Sequence, residues 1–500
     1  MAEALTRPWR TLAAIACTVT LLTLGSAVPA ANASSVDPAL LTGLNGVVAL
    51  SPPDTCLRVD VGGAPVFSHA SDLPLIPAST QKLVTAAVAL DVLGADHRFR
   101  TPAVSAPPVA GVVNGDLALV GSGDPLLTTV AYAFARRIGA DQPVTNFDSL
   151  ADQVVAAGVK RITGRVVGDE SRYDSLRAVP TWPPRYSEQN QIGPLSALSV
   201  DDGYRLEPRA EDQEPLRVRS VDPAADAAAT FSALLQSRGV VVDGGSAAGR
   251  APAGAVEVAS VESAPLSKAV RQMLEQSDNG TAELLARELG VAQGGAGTTA
   301  AGASVIQRRA TELGLITKGP QIVDGSGLDR GNRATCDELI AVLNAGGGSN
   351  GAIATSLPIA GRTGTLKGRF RGTAAQDRLR AKTGSLNDVT ALAGYVAMAD
   401  GQTATFAYIA NGPQADDPRK GQDFLGILLG QHEKTCPEPT GPMVVPLTPY
   451  TAQVGLLSGI PMAALMIPAL AIPLDAIEGQ ASSMVDPCLA ADPEFTLALR

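Results

Sequence analysis

Pro77-Ala78-Ser79-Thr80-Gln81-Lys82-Leu83-Val84-Thr85 sets a serine and a lysine three positions apart at the entrance to an apolar helical stretch. Positions i and i+3 lie one turn apart on a helix, so both side chains project from one face and can meet. That geometry suits a nucleophile and its base. The chain has eight lysines, and only Lys82 has a serine three places before it. By itself the pair also describes an ordinary helix start with a solvated lysine, so its reading rests on what the rest of the chain supplies.

The residues after it are apolar nearly all round from Leu83 to Leu93 and close at Gly94. A helix of that kind is buried, which puts Ser79 at its protected N-terminus, where N–H groups and the helix dipole favour a developing negative charge. Upstream, about Val48 to Phe67 reads as a strand pair turning at Gly62-Gly63. Downstream, residues 98–261 change to short β-like pieces with Gly and Pro between them. Two capped helices interrupt these pieces, one from Asn146 to Gly158 and one from Asp222-Pro223 to Gly239. Helical texture returns from Ser263 to Leu343, with a cap predicted at Ser263 and a break at Ser277-Asp278-Asn279-Gly280. A β-meander follows from Leu379 to Ala410. A helix over about Asp416 to Gly430, capped by Asp416 or Asp417, closes the folded part.

At 500 residues the chain is long for one core, and about three domains are expected. The 45% apolar and 18% charged composition is that of a folded protein. A net charge of −10 without long charged blocks argues against nucleic acid or anionic lipid as the main partner, and 4% aromatics leave few stacking platforms. Residues 1–33 read as a signal peptide: Arg7 and Arg10, an apolar run from Thr11 to Leu24, then Ala31-Asn32-Ala33. Export with cleavage leaves Cys56, Cys336, Cys436 and Cys488, enough for two disulfides in any of three pairings. Residues 437–500 form a Pro-rich apolar tail. Val454 to Leu474 is long enough to span a bilayer but carries Pro461, Pro468 and Pro473, so a surface-lying extended tail competes with a C-terminal membrane contact.

Three short motifs now stand in order: Ser79-x-x-Lys82, Ser277-Asp278-Asn279 and Lys382-Thr383-Gly384. They fall at a helix N-terminus, an interhelical break and a strand. This set and its contexts resemble class A β-lactamases and penicillin-binding proteins. Ser277 follows Ser79 by 198 positions, and that gap holds the 98–261 block, where class A β-lactamases have only a short helical segment. The chain therefore resembles more closely the D-alanyl-D-alanine carboxypeptidase/endopeptidase family, the class C low-molecular-mass penicillin-binding proteins. Secondary signatures agree, among them Gly121-Ser122-Gly123-Asp124-Pro125, Gly193-Pro194-Leu195-Ser196, Asp324-Gly325-Ser326-Gly327-Leu328 and Gly364-Thr365-Leu366-Lys367-Gly368. Arg362-Thr363, ahead of Gly364, departs from the family, which more often has an acidic residue there. The resemblance implies an α/β (α+β) fold of the serine β-lactamase/DD-peptidase type, with an antiparallel sheet flanked by helices and an all-helical part. The peptidase domain would comprise 34–97 and 262–436, and 98–261 would be inserted.

By that resemblance and by the chemistry, Ser79 is the expected nucleophile toward the penultimate D-Ala carbonyl and Lys82 its base, with Ser277 relaying the proton. Lys82 must then be neutral near pH 7, and burial with the second cation Lys382 is the expected cause. Asn279 would hold the substrate amide or Lys82. Lys382, Thr383 and Ser385 would bind the substrate carboxylate, beside Gly384, with backbone N–H groups of Ser79 and Ser385 as oxyanion hole. The expected partners are peptidoglycan stem peptides and β-lactams, on the wall side of the plasma membrane, with no nucleic acid. Only His69, His97 and His432 are present, so no metal or other cofactor is expected. A β-lactamase, or a non-catalytic wall-binding protein on the same fold, are the alternatives.

Overall fold

Asp37 starts the first helix, α1 (Pro38–Ala49), by accepting a hydrogen bond from the Ala39 N–H at 2.7 Å, with Pro38 in the first turn. This is a computed structural model of the chain, described over residues 37–209, 213–317, 319–413 and 419–433. The signal peptide, the tail, Cys436, Cys488 and the Asp416/Asp417 cap all lie outside the described residues. Leu40, Leu44 and Val47 are the buried stripe of α1. Val48 and Ala49 thus end a helix, and the strand expected from Val48 begins only at Asp54. Helical spacing of the apolar residues overrides the β-preference of Val47-Val48.

Strands β1 (Asp54–Val61) and β2 (Ala64–His69) form a hairpin about Gly62-Gly63, both at positive φ. A 3₁₀ turn at Ala78–Thr80 then leads straight into α2 (Gln81–Leu93), which ends at Gly94 with φ 88°.

The block from residue 100 to 262 builds its own sheet. Its strands are β3 (Arg100–Ser105), β4 (Leu117–Val120), β5 (Val166–Asp169), β6 (Ser246–Ala248) and β7 (Val256–Glu262), in the order β6-β5-β4-β3-β7. β4, β5 and β6 run parallel, joined by the helices α3 (Phe147–Ala156) and α4 (Pro223–Ser237), while β3 and β7 are antiparallel. Asn146 and Asp222 cap the two helices as expected. Phe147, Leu150, Phe231 and Leu235 pack with Leu117, Leu119 and Val166 into a core separate from the others.

Ser263 does not cap a helix. Its N–H donates to the Phe99 carbonyl, and its Oγ accepts from the Phe99 N–H, so it joins the two ends of the block. The helices α5 (Leu266–Gln276), α6 (Asn279–Leu289), α7 (Thr299–Glu312) and α8 (Cys336–Ala345) follow, the last opened by a Thr335/Glu338 capping box. The meander β8 (Leu379–Leu386), β9 (Val389–Ala397) and β10 (Thr403–Asn411) completes a five-stranded antiparallel sheet, order β8-β9-β10-β1-β2, and α9 (Lys420–Gln431) covers it. Strand alternation divides the two faces. Cys56, Ala391 and Ile409 face Leu83, Val84 and Met273, while Leu57, Leu392 and Phe406 face α1 and α9. Cys56 and Cys336 are disulfide-bonded, tying β1 to α8. Among the described residues no helix is long and apolar enough to cross a membrane.

Candidate active site

The site forms where α2, the α5–α6 break and β8 meet. Ser79 sits in the 3₁₀ turn, and Lys82, one turn on, is fully buried by the apolar helix the sequence predicts. β8 can lie against this turn because residue 384 is glycine: a Cβ there would stand 2.7 Å from the Pro77 carbonyl oxygen and 3.2 Å from the Ser79 nitrogen. Ser277 ends α5 in the left-handed region (φ 60°), and Asp278 immediately caps α6 by accepting from Thr281 N–H. The two side chains of the motif, Ser277 and Asn279, therefore stand on either side of a one-residue seam.

Lys82 Nζ donates to three acceptors: Ser79 Oγ at 2.9 Å, Asn279 Oδ1 at 2.7 Å and the Ser326 carbonyl at 2.7 Å. The Asn279 amide is oriented from its other end, where Nδ2 donates to the Gln191 carbonyl at 2.8 Å. Burial pushes Lys82 down to about 8, although the charges of Asp324, Asp278 and Glu283 act the other way. On that value about a tenth of the amine is neutral at pH 7.

The second lysine holds a separate cluster. Lys382 Nζ donates to Ser277 Oγ and to the Thr383 carbonyl, each at 2.8 Å, and Thr383 Oγ1 donates to Thr365 Oγ1 at 2.9 Å. Burial first and the Lys82 charge second hold Lys382 well below the usual lysine range. Burial, one of the two causes expected for Lys82, is the one that lowers it, and the charge of one lysine on the other acts at Lys382. Ser277, expected to relay the proton between lysine and leaving group, accepts from Lys382. Ser385, the remaining predicted residue, is exposed at the end of β8.

Asp324-Gly325-Ser326-Gly327-Leu328, legible in the sequence only as a signature, has a structural role here. This loop carries the main-chain acceptor for Lys82, and Gly327 (φ 82°) lies so close to the Ser79 turn that a Cβ would come within 1.9 Å of the Ala78 carbonyl oxygen. The Asp324 carboxylate fixes the loop, accepting from Gly327 N–H (2.7 Å), Asp329 N–H (2.6 Å), Asn332 Nδ2 (2.9 Å) and Trp182 Nε1 (2.8 Å). Glu283 accepts from the Ser326 N–H at 2.8 Å, and burial followed by the Asp324 charge pushes it up to about 8. Neither Glu283 nor Gln191 has any motif to announce it, and Ser326 acts through its backbone.

Chemically, the arrangement leaves Lys82 one place to use a lone pair. When neutral it keeps two N–H bonds, and the Asn279 oxygen and the Ser326 carbonyl can only accept. The remaining partner, the Ser79 hydroxyl, can donate. The lone pair thus faces the serine proton.

A family model described as "D-Ala-D-Ala carboxypeptidase 3 (S13) family" matches residues 58–210 and 206–431. A D-alanyl-D-alanine carboxypeptidase of Actinomadura sp. is 33% identical, over 79% of this chain and 83% of the relative. Carboxypeptidase DacB of Mycolicibacterium smegmatis is 35% identical, over 73% and 78%. Among solved structures, penicillin binding protein 4 (dacB) from Haemophilus influenzae superposes with a TM-score of 0.63 at 21% identity, covering 77% of this chain and 97% of that one, a likeness of fold.

Proposed function

The chain belongs to the D-Ala-D-Ala carboxypeptidase 3 (S13) family, and on that premise we propose that it trims peptidoglycan stem peptides outside the cytoplasm through an acyl-enzyme on Ser79, and that β-lactams acylate the same serine. The observation carrying this reading is the acceptor pattern about Lys82, which reserves its lone pair for Ser79.

Ser79 Oγ attacks the carbonyl carbon of the penultimate D-Ala while its proton passes to Lys82 Nζ. The C–N bond then breaks, the proton goes to the departing amine of the terminal D-Ala, and water later hydrolyses the ester. The substrate's terminal carboxylate would lie by Lys382 and Thr383. That negative charge opposes the effects that depress Lys382, so it keeps Lys382 an ammonium while Lys82 stays free to take the serine proton. The backbone N–H groups of Ser79 and Ser385 would receive the oxyanion. Gly384, by its missing side chain, lets β8 stand close enough for this.

A fluorescent penicillin mixed with the purified chain should label it covalently, with the adduct on the peptide containing Ser79. A folded Ser79→Ala variant should take no label, and the parent should release D-Ala from a stem pentapeptide. A labelled Ser79→Ala variant, or a parent inert to both reagents, would sink the reading.

A further inference from the structure

Behind Lys82 the core encloses two carboxyl groups that take no part in the steps above, Asp324 and Glu283, both fully buried. Glu283 lies four residues after Asn279 on α6, so it shares a helix face with the side chain that bonds Lys82. Glu283 and Lys82 meet through a single residue. Ser326 gives its carbonyl to Lys82 Nζ at 2.7 Å and its N–H to Glu283 Oε1 at 2.8 Å.

The two carboxyls differ in their ability to keep a charge. Asp324 accepts from four donors: the Gly327 and Asp329 N–H groups, Asn332 Nδ2 and Trp182 Nε1. Glu283 has the Ser326 N–H and, among the described residues, one further donor, the Thr299 hydroxyl at 3.5 Å. Arg287, one turn further along α6, spends its guanidinium elsewhere, with Nη1 3.0 Å from Asp174 and Nη2 donating to the Leu176 carbonyl at 2.8 Å. A buried carboxylate is costly without donors or a counter-ion, so the charge settles on Asp324 and the proton on Glu283. The titratable groups around Glu283 are Asp324 in the loop, Lys82 on α2 and Arg287 on its own helix, with Tyr173, Asp174 and Arg177 acting on Arg287 beyond it.

We propose that Glu283 is a positioning residue for acylation: uncharged, it holds the Ser326 carbonyl on Lys82 while sparing Lys82 a second buried anion that would keep it an ammonium. The inference rests on the catalytic reading given above. The three acceptors of Lys82 are all uncharged, so its protonation is decided by carboxylates at longer range. Asp324 supports the ammonium that forms when the Ser79 proton arrives, and Asp278 adds to it. An anionic Glu283 would favour that ammonium before Ser79 had reacted, and the lone pair would be lost. No proton passes between Glu283 and Lys82 in the step. Lys82 takes the proton of Ser79 and returns it to the departing amine.

The test is the pH profile of acylation in the full chain, read as the pseudo-first-order rate of labelling by fluorescent penicillin. Removing an anion that favours the ammonium lowers the pH at which Lys82 becomes neutral. Glu283→Gln should therefore move the rising limb of the profile down by about one pH unit. Its amide oxygen can still accept from the Ser326 N–H, whereas Glu283→Ala leaves that group unpaired, so the Gln variant should reach a plateau rate about tenfold or more above the Ala variant. The infrared difference spectrum between parent and Glu283→Gln at pH 7 should contain the carbonyl stretch of a protonated carboxyl, which reads the proton without turnover. A limb that stays or moves up in folded Glu283→Gln, equal plateaus in the two variants, or a difference spectrum without that band would overturn the proposal. Should Glu283→Ala not fold, the limb and the band still decide. Labelling of the parent reports the catalytic reading separately. A parent that takes no label fails that reading and this inference with it, while a labelled parent with an unmoved limb in Glu283→Gln fails this inference alone.

Discussion

Replacing Gly327 with alanine puts one methyl group against the turn that carries Ser79. Its Cβ would stand 1.9 Å from the Ala78 oxygen, 2.6 Å from the Ala78 carbon and 2.9 Å from Gln81 Cβ. Ordinary contact begins near 3.4 Å, so turn and loop must part by more than an ångström. The backbone angle adds a second cost, because φ is 82° and alanine disfavours that region by about 1–2 kcal/mol. Overpacking adds about 1–3 kcal/mol, giving a total loss of about 2–5 kcal/mol in urea unfolding. The kinetic effect should exceed the thermodynamic one. Ala78 and Ser79 share the turn, and the Ser326 carbonyl next to residue 327 is an acceptor for Lys82, so nucleophile and base move apart. A displacement of about 1 Å costs on the order of a hundredfold in rate, read as the pseudo-first-order rate of labelling by fluorescent penicillin. Gly401→Ala supplies the control. Gly401 has the same φ of 82° in the turn between β9 and β10, with nothing within 4 Å of its Cβ position, so the variant should lose only about 1–2 kcal/mol and label at the parent rate. A folded Gly327→Ala chain labelling at the parent rate, or a Gly401→Ala chain slowed as much, would refute the reasoning.

Other perturbations follow from the same contacts. Trp182→Phe removes the indole donor to Asp324 and should cost about 2–3 kcal/mol in urea unfolding with slower acylation, whereas unchanged stability would contradict that role. Glu338 is buried in the α8 capping box, and burial raises it from 4.5 to about 8. A carboxyl raised on folding contributes stability that is complete below its unfolded value and is lost as pH climbs through its folded value. Urea stability should therefore fall between pH 5 and pH 8.5, and Glu338→Gln should reduce that fall by on the order of 3 kcal/mol; parallel pH profiles would count against it. The Cys56–Cys336 disulfide joins residues 280 apart, so a reducing agent, or Cys56→Ala with Cys336→Ala, should lower stability by about 5 kcal/mol, seen as an earlier urea midpoint.

The candidate site around Ser79 and Lys82 was legible because its residues break local patterns. Lys82 is a charge inside an apolar helix, and Ser277-Asp278-Asn279 interrupts a helical periodicity where the chain changes from a C-cap to an N-cap. The hairpin of β1 and β2, the meander and the capped helices of the insertion were legible for similar reasons, each bounded by glycine, proline or a capping side chain. What could not be read was whatever acts through the backbone or at a distance. Ser326 serves Lys82 with a carbonyl that any residue possesses. Gln191 reaches Asn279 across 88 positions of chain, again through a carbonyl. The charges that oppose the depression of Lys82, those of Asp324, Asp278 and Glu283, were not legible either, because they reach it from distant segments. Val48 was misread because β-branched residues also occur in helices whose apolar stripe is strong enough.

The pairing of Phe99 with Ser263 has a consequence for the history and the engineering of the chain. The segment between Phe99 and Ser263 leaves and rejoins the rest of the chain at neighbouring points, so topologically it could be cut out and the ends joined by a short turn. Energetically it could not. Excision would strip Asp324 of its indole donor, Asn279 of the carbonyl that orients it, and buried Glu288 of its guanidinium partner Arg172. Such a segment behaves as a wall of the site whose foundations lie elsewhere in the chain, and a minimal version of the enzyme would need replacements for those three donors and acceptors before it needed a new loop.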